Sequence, residues 1–453
     1  MLRAAILSTA LALASCAPAG TTPQATRATV ASVTDALPAP RRFAGPPRLN
    51  MPTPRNDQLA RDFMALSFQL ETGRALPVFT RFEGPITVAL EGAPPATLSA
   101  DLDDLIGRLR AEAGIDIARA KPGEMGSITV TALPRAQLQR YVPGAACFVV
   151  PRVAGWKDYL AKRLGPATDW TTLQTRDRAS VFLPADVSPQ EIRDCLHEEI
   201  AQALGPLNDL YRLPWSVFND DNTHVVLTPF DMLILRATYD PALRSGIGQD
   251  EVARRIPEIL ARINPGGRRT GPRVVESSGD WVEAVRGALN PRGSDRARVA
   301  RAKDAVAFAR HAGWSDERLA FSYLALGRAT LASDTESAIA AFLEAGSRYR
   351  ALTGDSIHSA QVALQLGAFA LSSGQTDAAL SLLDGAIPAA DGAQNASLLA
   401  TLLLLRAEAT EMQGARAEAA RIRREGLAWG RYAWGDEMLA MRAGEVAGLG
   451  PGA

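Results

Sequence analysis

Residues 195–209 read CLHEEIAQALGPLND, and this run decides how the first half of the chain is understood. Just upstream, Ser188, Pro189 and Glu191 spell a helix start: a hydroxyl cap, a proline in the first turn and a carboxylate three residues after the cap. Gly205 and Pro206 end the helix. At about 100° per residue, Ile192, Cys195, Leu196, Ile200 and Ala203 gather on one side, with Glu199 in their midst. Glu198 and Gln202 share the flank, and His197 and Ala201 are expected on the opposite, wetter face. A carboxylate inside an apolar stripe needs either buried donors or a chemical use.

The flanking sequence supplies the frame. The run 56–71, NDQLARDFMALSFQLE, predicts an opening helix on Leu59, Phe63, Met64, Leu66 and Phe68. Residues 84–92, GPITVALEG, alternate as a strand does, 98–114 read as an amphipathic helix, and 126–133, GSITVTAL, form a second strand. Together they make a β-α-β unit. Residues 144–152 and 178–185 are further strand candidates. Beyond the central helix, 227–241, LTPFDMLILRATYDP, starts another helix with Thr228 as cap, Pro229 at the first position and Asp231 three residues on.

Read from Glu198, the run EEIAQALGPLN resembles the zinc helix of metzincin-type peptidases, whose pattern is HExxHxxGxxH. Glu199 matches the general-base glutamate and Gly205 the glycine at which the chain turns. The three ligand positions hold Glu198, Gln202 and Asn208, and a frame that makes His197 the first ligand puts Ala201 at the second. The β-α-β unit and the 227–241 helix also resemble a zincin layout, so the likeness spans about 56–245. It departs at the Met-turn, because no Met lies between Asn208 and the closing helix. The segments EEIAQALG and SVFNDD further resemble an uncharacterised family of proteobacterial lipoproteins, a domain of unknown function.

The resemblance implies a degenerate zincin-like α+β domain, a pseudopeptidase without metal or cofactor. Amide oxygens and one carboxylate make a poor zinc site, and without the metal Glu199 has no activated water to deprotonate. Two alternatives stay open. Glu198, Gln202, Asn208 and Asp209, with Asp220 or Asp221, are oxygen donors suited to a divalent cation such as Ca2+ or Mg2+. Glu199 as candidate catalytic residue could pair with a second carboxylate in a cell-envelope hydrolase of peptides or glycans. Tyr211, Trp215, Phe218 and His224 could line a groove beside this helix, with hydrophobic core as the plainer reading of the aromatics.

The C-terminal third repeats at a period of 40 residues: Leu324, Leu364 and Leu404 correspond, as do Gly327, Gly367 and Ala407; Asp334, Gly374 and Gly414; and Phe342, Leu382 and Ile422. Gly287 suggests an earlier copy beginning near Trp281. Helix-pair repeats bury a core by stacking, and these resemble tetratricopeptide-like (TPR-like) repeats with a longer period. Such surfaces hold protein partners.

At the other end, an apolar run from Ala4 to Ala14 follows Arg3 and is too short to span a bilayer. LASC at 13–16 resembles a bacterial lipobox, which implies cleavage before Cys16, lipidation of that cysteine and, with Ala17 following, delivery to the periplasmic side of the outer membrane. In that oxidising setting Cys147 and Cys195 predict a disulfide, with two buried thiols as the alternative. The chain of 453 residues has 49 basic and 49 acidic side chains, which argues against nucleic acid as a partner.

The expected organisation is therefore a signal peptide (1–15), a flexible lipid-anchored tether (16–55), a zincin-like α+β domain (56–245), a helix and linker (246–280) and all-α TPR-like repeats (281–453). The expected role is a non-catalytic binding scaffold, with the hydrolase as alternative.

Overall fold

β-Branched runs and amphipathic stripes sort this chain into an α/β part and a helical part. A computed structural model of the protein describes residues 37–121, 123–269, 271 and 274–449. The expected signal peptide, its Cys16 lipidation site and the first part of the expected tether lie outside the described residues. The described chain divides into two compact units, one of residues 44–47 and 51–277, the other of 37–43, 48–50 and 278–449.

The first unit runs α1 (Asn56–Phe68), β1 (Ile86–Gly92), α2 (Ala96–Ala113), β2 (Ile117–Arg119), β3 (Ile128–Leu133), α3 (Arg135–Tyr141), β4 (Phe148–Pro151), α4 (Gly155–Lys162), β5 (Ala179–Pro184), α5 (Pro189–Leu204), α6 (Pro229–Thr238) and α7 (Gln249–Ile263). Its five-stranded sheet has the order β2-β1-β3-β5-β4. All neighbours are parallel except β4, which runs antiparallel to β5 and pairs Phe148 with Phe182. The strands predicted at 84–92, 126–133, 144–152 and 178–185 are all present. The edge strand β2 and the short helices α3 and α4 carry no clear periodicity in the sequence.

Strand β5 is buried along its whole length, which requires cover on both faces. Alternation divides that burial between two clusters. Val130, Val149 and Val181 join Leu102, Leu105 and Leu109 of α2 and Ile192, Leu196 and Ile200 of α5 in the main core. Phe148, Val150 and Phe182 join Leu138, Trp156 and Tyr159 in a smaller, aromatic one.

The boundary expected at residue 245 is too early. Helix α7 places Val252, Ile256, Ile259 and Leu260 in the main core and packs along α1. Asn56 Nδ2 donates to the Asn264 carbonyl at 3.1 Å, and Asn264 Nδ2 donates to the Pro54 carbonyl and to Asn56 Oδ1, both at 2.9 Å. The ends of the unit are thereby buttoned together.

The second unit is helical: α8 (Gly279–Leu289), α9 (Asp295–His311), α10 (Glu317–Thr330), α11 (Thr335–Thr353), α12 (Ile357–Ser372), α13 (Thr376–Gly392), α14 (Ala396–Met412) and α15 (Arg416–Ala447), the last broken by non-helical backbone at Gly435. First helices begin at 279, 317, 357 and 396 and second helices at 295, 335, 376 and 416, so four pairs advance by about 40 residues each. Gly327 and Gly367 allow close packing within a pair: a Cβ at Gly327 would lie 2.5 Å from the Phe342 ring, and one at Gly367 3.1 Å from Leu383. Helix α13 starts one residue later than the strict period, so Leu383 rather than Leu382 is the buried equivalent of Phe342.

Part of the expected tether is packed. Phe43 sits in the core of the second unit with half-buried Leu49 packed against it, and Met51 packs against the core of the first. Apolar residues scattered among prolines lack a helical or strand period, so their burial was not legible. Among the described residues no helix is long and apolar enough to cross a membrane.

Candidate functional site

Helix α5 is where a zincin-like activity would reside. Its start is as predicted: Ser188 Oγ accepts the Glu191 N–H at 3.2 Å, with Pro189 in the first turn. At its other end Gly205 lets α6 approach, since a Cβ there would come within 2.9 Å of the Thr238 side chain. Arg176 closes that end. Its guanidinium donates to the carbonyls of Gln202 (2.6 Å), Ala203 (2.8 Å) and Gly205 (2.5 Å) and to Thr80 Oγ1 (3.1 Å), and it lies 4.9 Å from the Trp170 ring centroid. Burial lowers its pKa to about 10, which leaves it cationic at neutral pH. A buried cation here satisfies carbonyls that the helix leaves open and complements the helix dipole.

The expected wet face does not exist. His197 and Ala201 are both buried, as are Glu198, Glu199 and Gln202. His197 Nδ1 accepts the Leu227 N–H at 3.2 Å, and Arg108 Nη2 donates to the Leu227 carbonyl at 2.8 Å. One peptide segment is thus clamped between α5 and α2. Desolvation, together with the Arg193 and Arg108 charges, holds the imidazole pKa well below 6.5, so His197 is neutral and its proton is on Nε2.

The positions that match zinc ligands are engaged in hydrogen bonds within the protein. Gln202 Nε2 donates to Glu198 Oε1 at 3.5 Å, one helical turn away, and Asn208 Nδ2 donates to the Ala65 carbonyl at 3.1 Å. Glu199 is buried among them on α5. Among the described residues no three His, Cys, Asp or Glu side chains stand together as metal ligands would.

Between α5 and α6 the chain is organised by Asp231. It accepts from Ser216 Oγ (2.5 Å), Val217 N–H (3.2 Å), Thr228 N–H (2.7 Å) and Thr228 Oγ1 (3.0 Å). Burial raises its pKa to about 6 against these donors. Asp221 is held inside its own turn by Thr223 N–H (2.8 Å) and Asn219 Nδ2 (3.0 Å), and burial, with Asp220 beside it, raises it to about 7. Trp215 and Phe218 belong to the hydrophobic core rather than to a groove wall; the Trp215 ring lies tilted against buried His224 with centroids 5.8 Å apart, and Tyr211 is half-buried.

A disulfide joins Cys147 to Cys195, with Cα atoms 5.9 Å apart, and ties α5 to the residue that leads into β4. Sequence reasoning did not find Arg176, Arg108 or the acceptor role of His197. Their partners are backbone carbonyls and N–H groups far along the chain, which leave no residue pattern.

Residues 56–258 match a family described as Protein of unknown function (DUF2927). The match takes in the sheet, α5 and α6 and ends inside α7. No curated protein and no solved structure matches the chain.

Proposed function

We propose that this protein is a non-catalytic, zincin-like scaffold, lipid-anchored at Cys16 on the periplasmic side of the outer membrane, whose TPR-like unit holds a protein partner. The observation that carries the reading is the state of α5. At the positions matching zinc ligands stand Glu198, Gln202 and Asn208, buried and bonded to each other or to backbone, with Arg176 and Leu227 closing the end and side of the helix. A catalytic zinc needs imidazole or thiolate ligands and an open position for water. The mixed sheet followed by this helix and a proline-started closing helix supports the zincin-like layout, and helix pairs spaced by about 40 residues support the repeat reading. The LASC motif after an apolar run supports the anchor.

The test has two arms. Residues 17–453, dialysed against Zn2+, Ca2+, Mg2+ and Mn2+, should retain no stoichiometric metal; retention that Glu198→Ala abolishes would overturn the non-catalytic reading. Crosslinking pull-downs with the full chain should recover a partner that a chain truncated after Ser277 does not; equal recovery would overturn the role of the repeats.

A further inference from the structure

Residues 37–43 and 48–50, which belong to the second unit, lie against its helices in the manner of a bound peptide. Phe43 is its anchor: the ring stacks on Trp429 of α15 with centroids 4.2 Å apart, and both rings are buried. Two main-chain bonds fix the direction, from Arg41 N–H to the Ala428 carbonyl at 3.1 Å and from Arg48 N–H to the Gly392 carbonyl at 2.7 Å. Gly392 is the last residue of α13, so its carbonyl is one that the helix cannot satisfy internally.

Charge follows the same track. Arg41 pairs with Glu425 at 2.9 Å, Arg48 pairs with Asp391 at 2.5 Å, and Arg431 donates to the Pro38 carbonyl at 2.8 Å. The Arg41 guanidinium also lies 5.8 Å from the Trp429 ring. Gly392 admits the segment, because a methyl group there would strike the Arg48 carbonyl oxygen. Pro38, Pro40, Pro46 and Pro47 keep this stretch extended, which lowers the entropy lost on docking. The ion pairs are partly exposed and contribute little, so the buried aromatic and the main-chain bonds dominate. Nothing in the 40-residue repeat requires this occupant: 384 residues separate Arg41 from Glu425.

We propose that α13 and α15 form a recognition site for extended peptides carrying arginine two residues before phenylalanine, and that residues 37–50 fill it in cis. A partner of that chemistry must displace the chain's own segment. The proposal rests on the reading of the helical unit as a partner-holding module and names where it holds and what.

A labelled synthetic peptide of residues 37–50, titrated into the full chain by fluorescence anisotropy, tests it. Phe43→Ala should tighten peptide binding at least tenfold over wild type, because the intact segment competes at an effective concentration on the order of millimolar. Adding Gly392→Ala should abolish the gain, and alanine suits a helical position, so α13 is kept. Equal affinity for wild type and Phe43→Ala, or a gain that survives Gly392→Ala, overturns the site. Should far-UV circular dichroism show that Phe43→Ala unfolds the helical unit, Gly392→Ala alone decides. Trypsin should then cut after Arg41, Arg42 and Arg48 at least tenfold faster than in wild type; unchanged cleavage overturns the proposal. Failure of the peptide with partner recovery intact removes this site and leaves the scaffold reading standing.

Discussion

His197 makes acid a specific probe of the α5 environment. Its Nδ1 is committed to the Leu227 N–H, and Arg193 and Arg108 oppose a positive charge there, so the native imidazole stays neutral well below pH 6.5. The unfolded chain has no such constraint and takes up the proton near pH 6.5. The unfolded state therefore binds more protons below that pH, and stability present above it is lost as the pH falls. Each pH unit below 6.5 over which the native imidazole stays neutral costs on the order of 1 kcal/mol. His197→Asn keeps an acceptor at the δ position and cannot titrate. Urea unfolding of both proteins at pH 7.5 and 4.5 isolates the effect, because the packing cost of the substitution and the titration of Asp221 and Asp231 are common to the two conditions or the two proteins. Wild type should lose on the order of 1 kcal/mol or more beyond what the variant loses. Equal losses would refute the assignment of a neutral, buried His197.

Two further perturbations address what fastens α5. Replacing Cys147 and Cys195 by Ala opens a loop whose ends are 48 residues apart in sequence; the chain-entropy relation then gives a loss of about 4 kcal/mol in urea unfolding, and a loss under ~1 kcal/mol would contradict the staple. Arg176→Met leaves the carbonyls of Gln202, Ala203 and Gly205 buried without this donor and should lower stability by at least about 3 kcal/mol; a change within ~0.5 kcal/mol would show that the helix end is satisfied otherwise.

Local chemistry made much of the fold legible. Ser188 and Pro189, Thr228 with Pro229 and Asp231, and the alternating runs at β1, β3 and β5 each sit where cap and pleat preferences put them. The period of 40 marked the helix pairs. What failed was the inference from one apolar stripe to one buried face. Helix α5 carries His197, Glu198 and Gln202 on its other sides, and they too are buried: His197 meets the Leu227 N–H from a distant segment, and Gln202 bonds to Glu198 one turn away. The same holds for α7, read as a linker helix although Val252, Ile256, Ile259 and Leu260 mark an apolar stripe. Its partner α1 stands nearly two hundred residues upstream, so their shared core is a matter of tertiary packing that a local stripe does not announce.

The clasp of Asn56 and Asn264 also sets how the first unit meets mechanical tension. A pull delivered through the residues before α1 and taken up beyond α7 enters and leaves at adjacent points. It is carried across three side-chain hydrogen bonds and the α1–α7 seam, and the sheet is bypassed. Stretching the first unit between residues 51 and 277 would part that seam first and leave β1 to β5, with the disulfide at their edge, still folded.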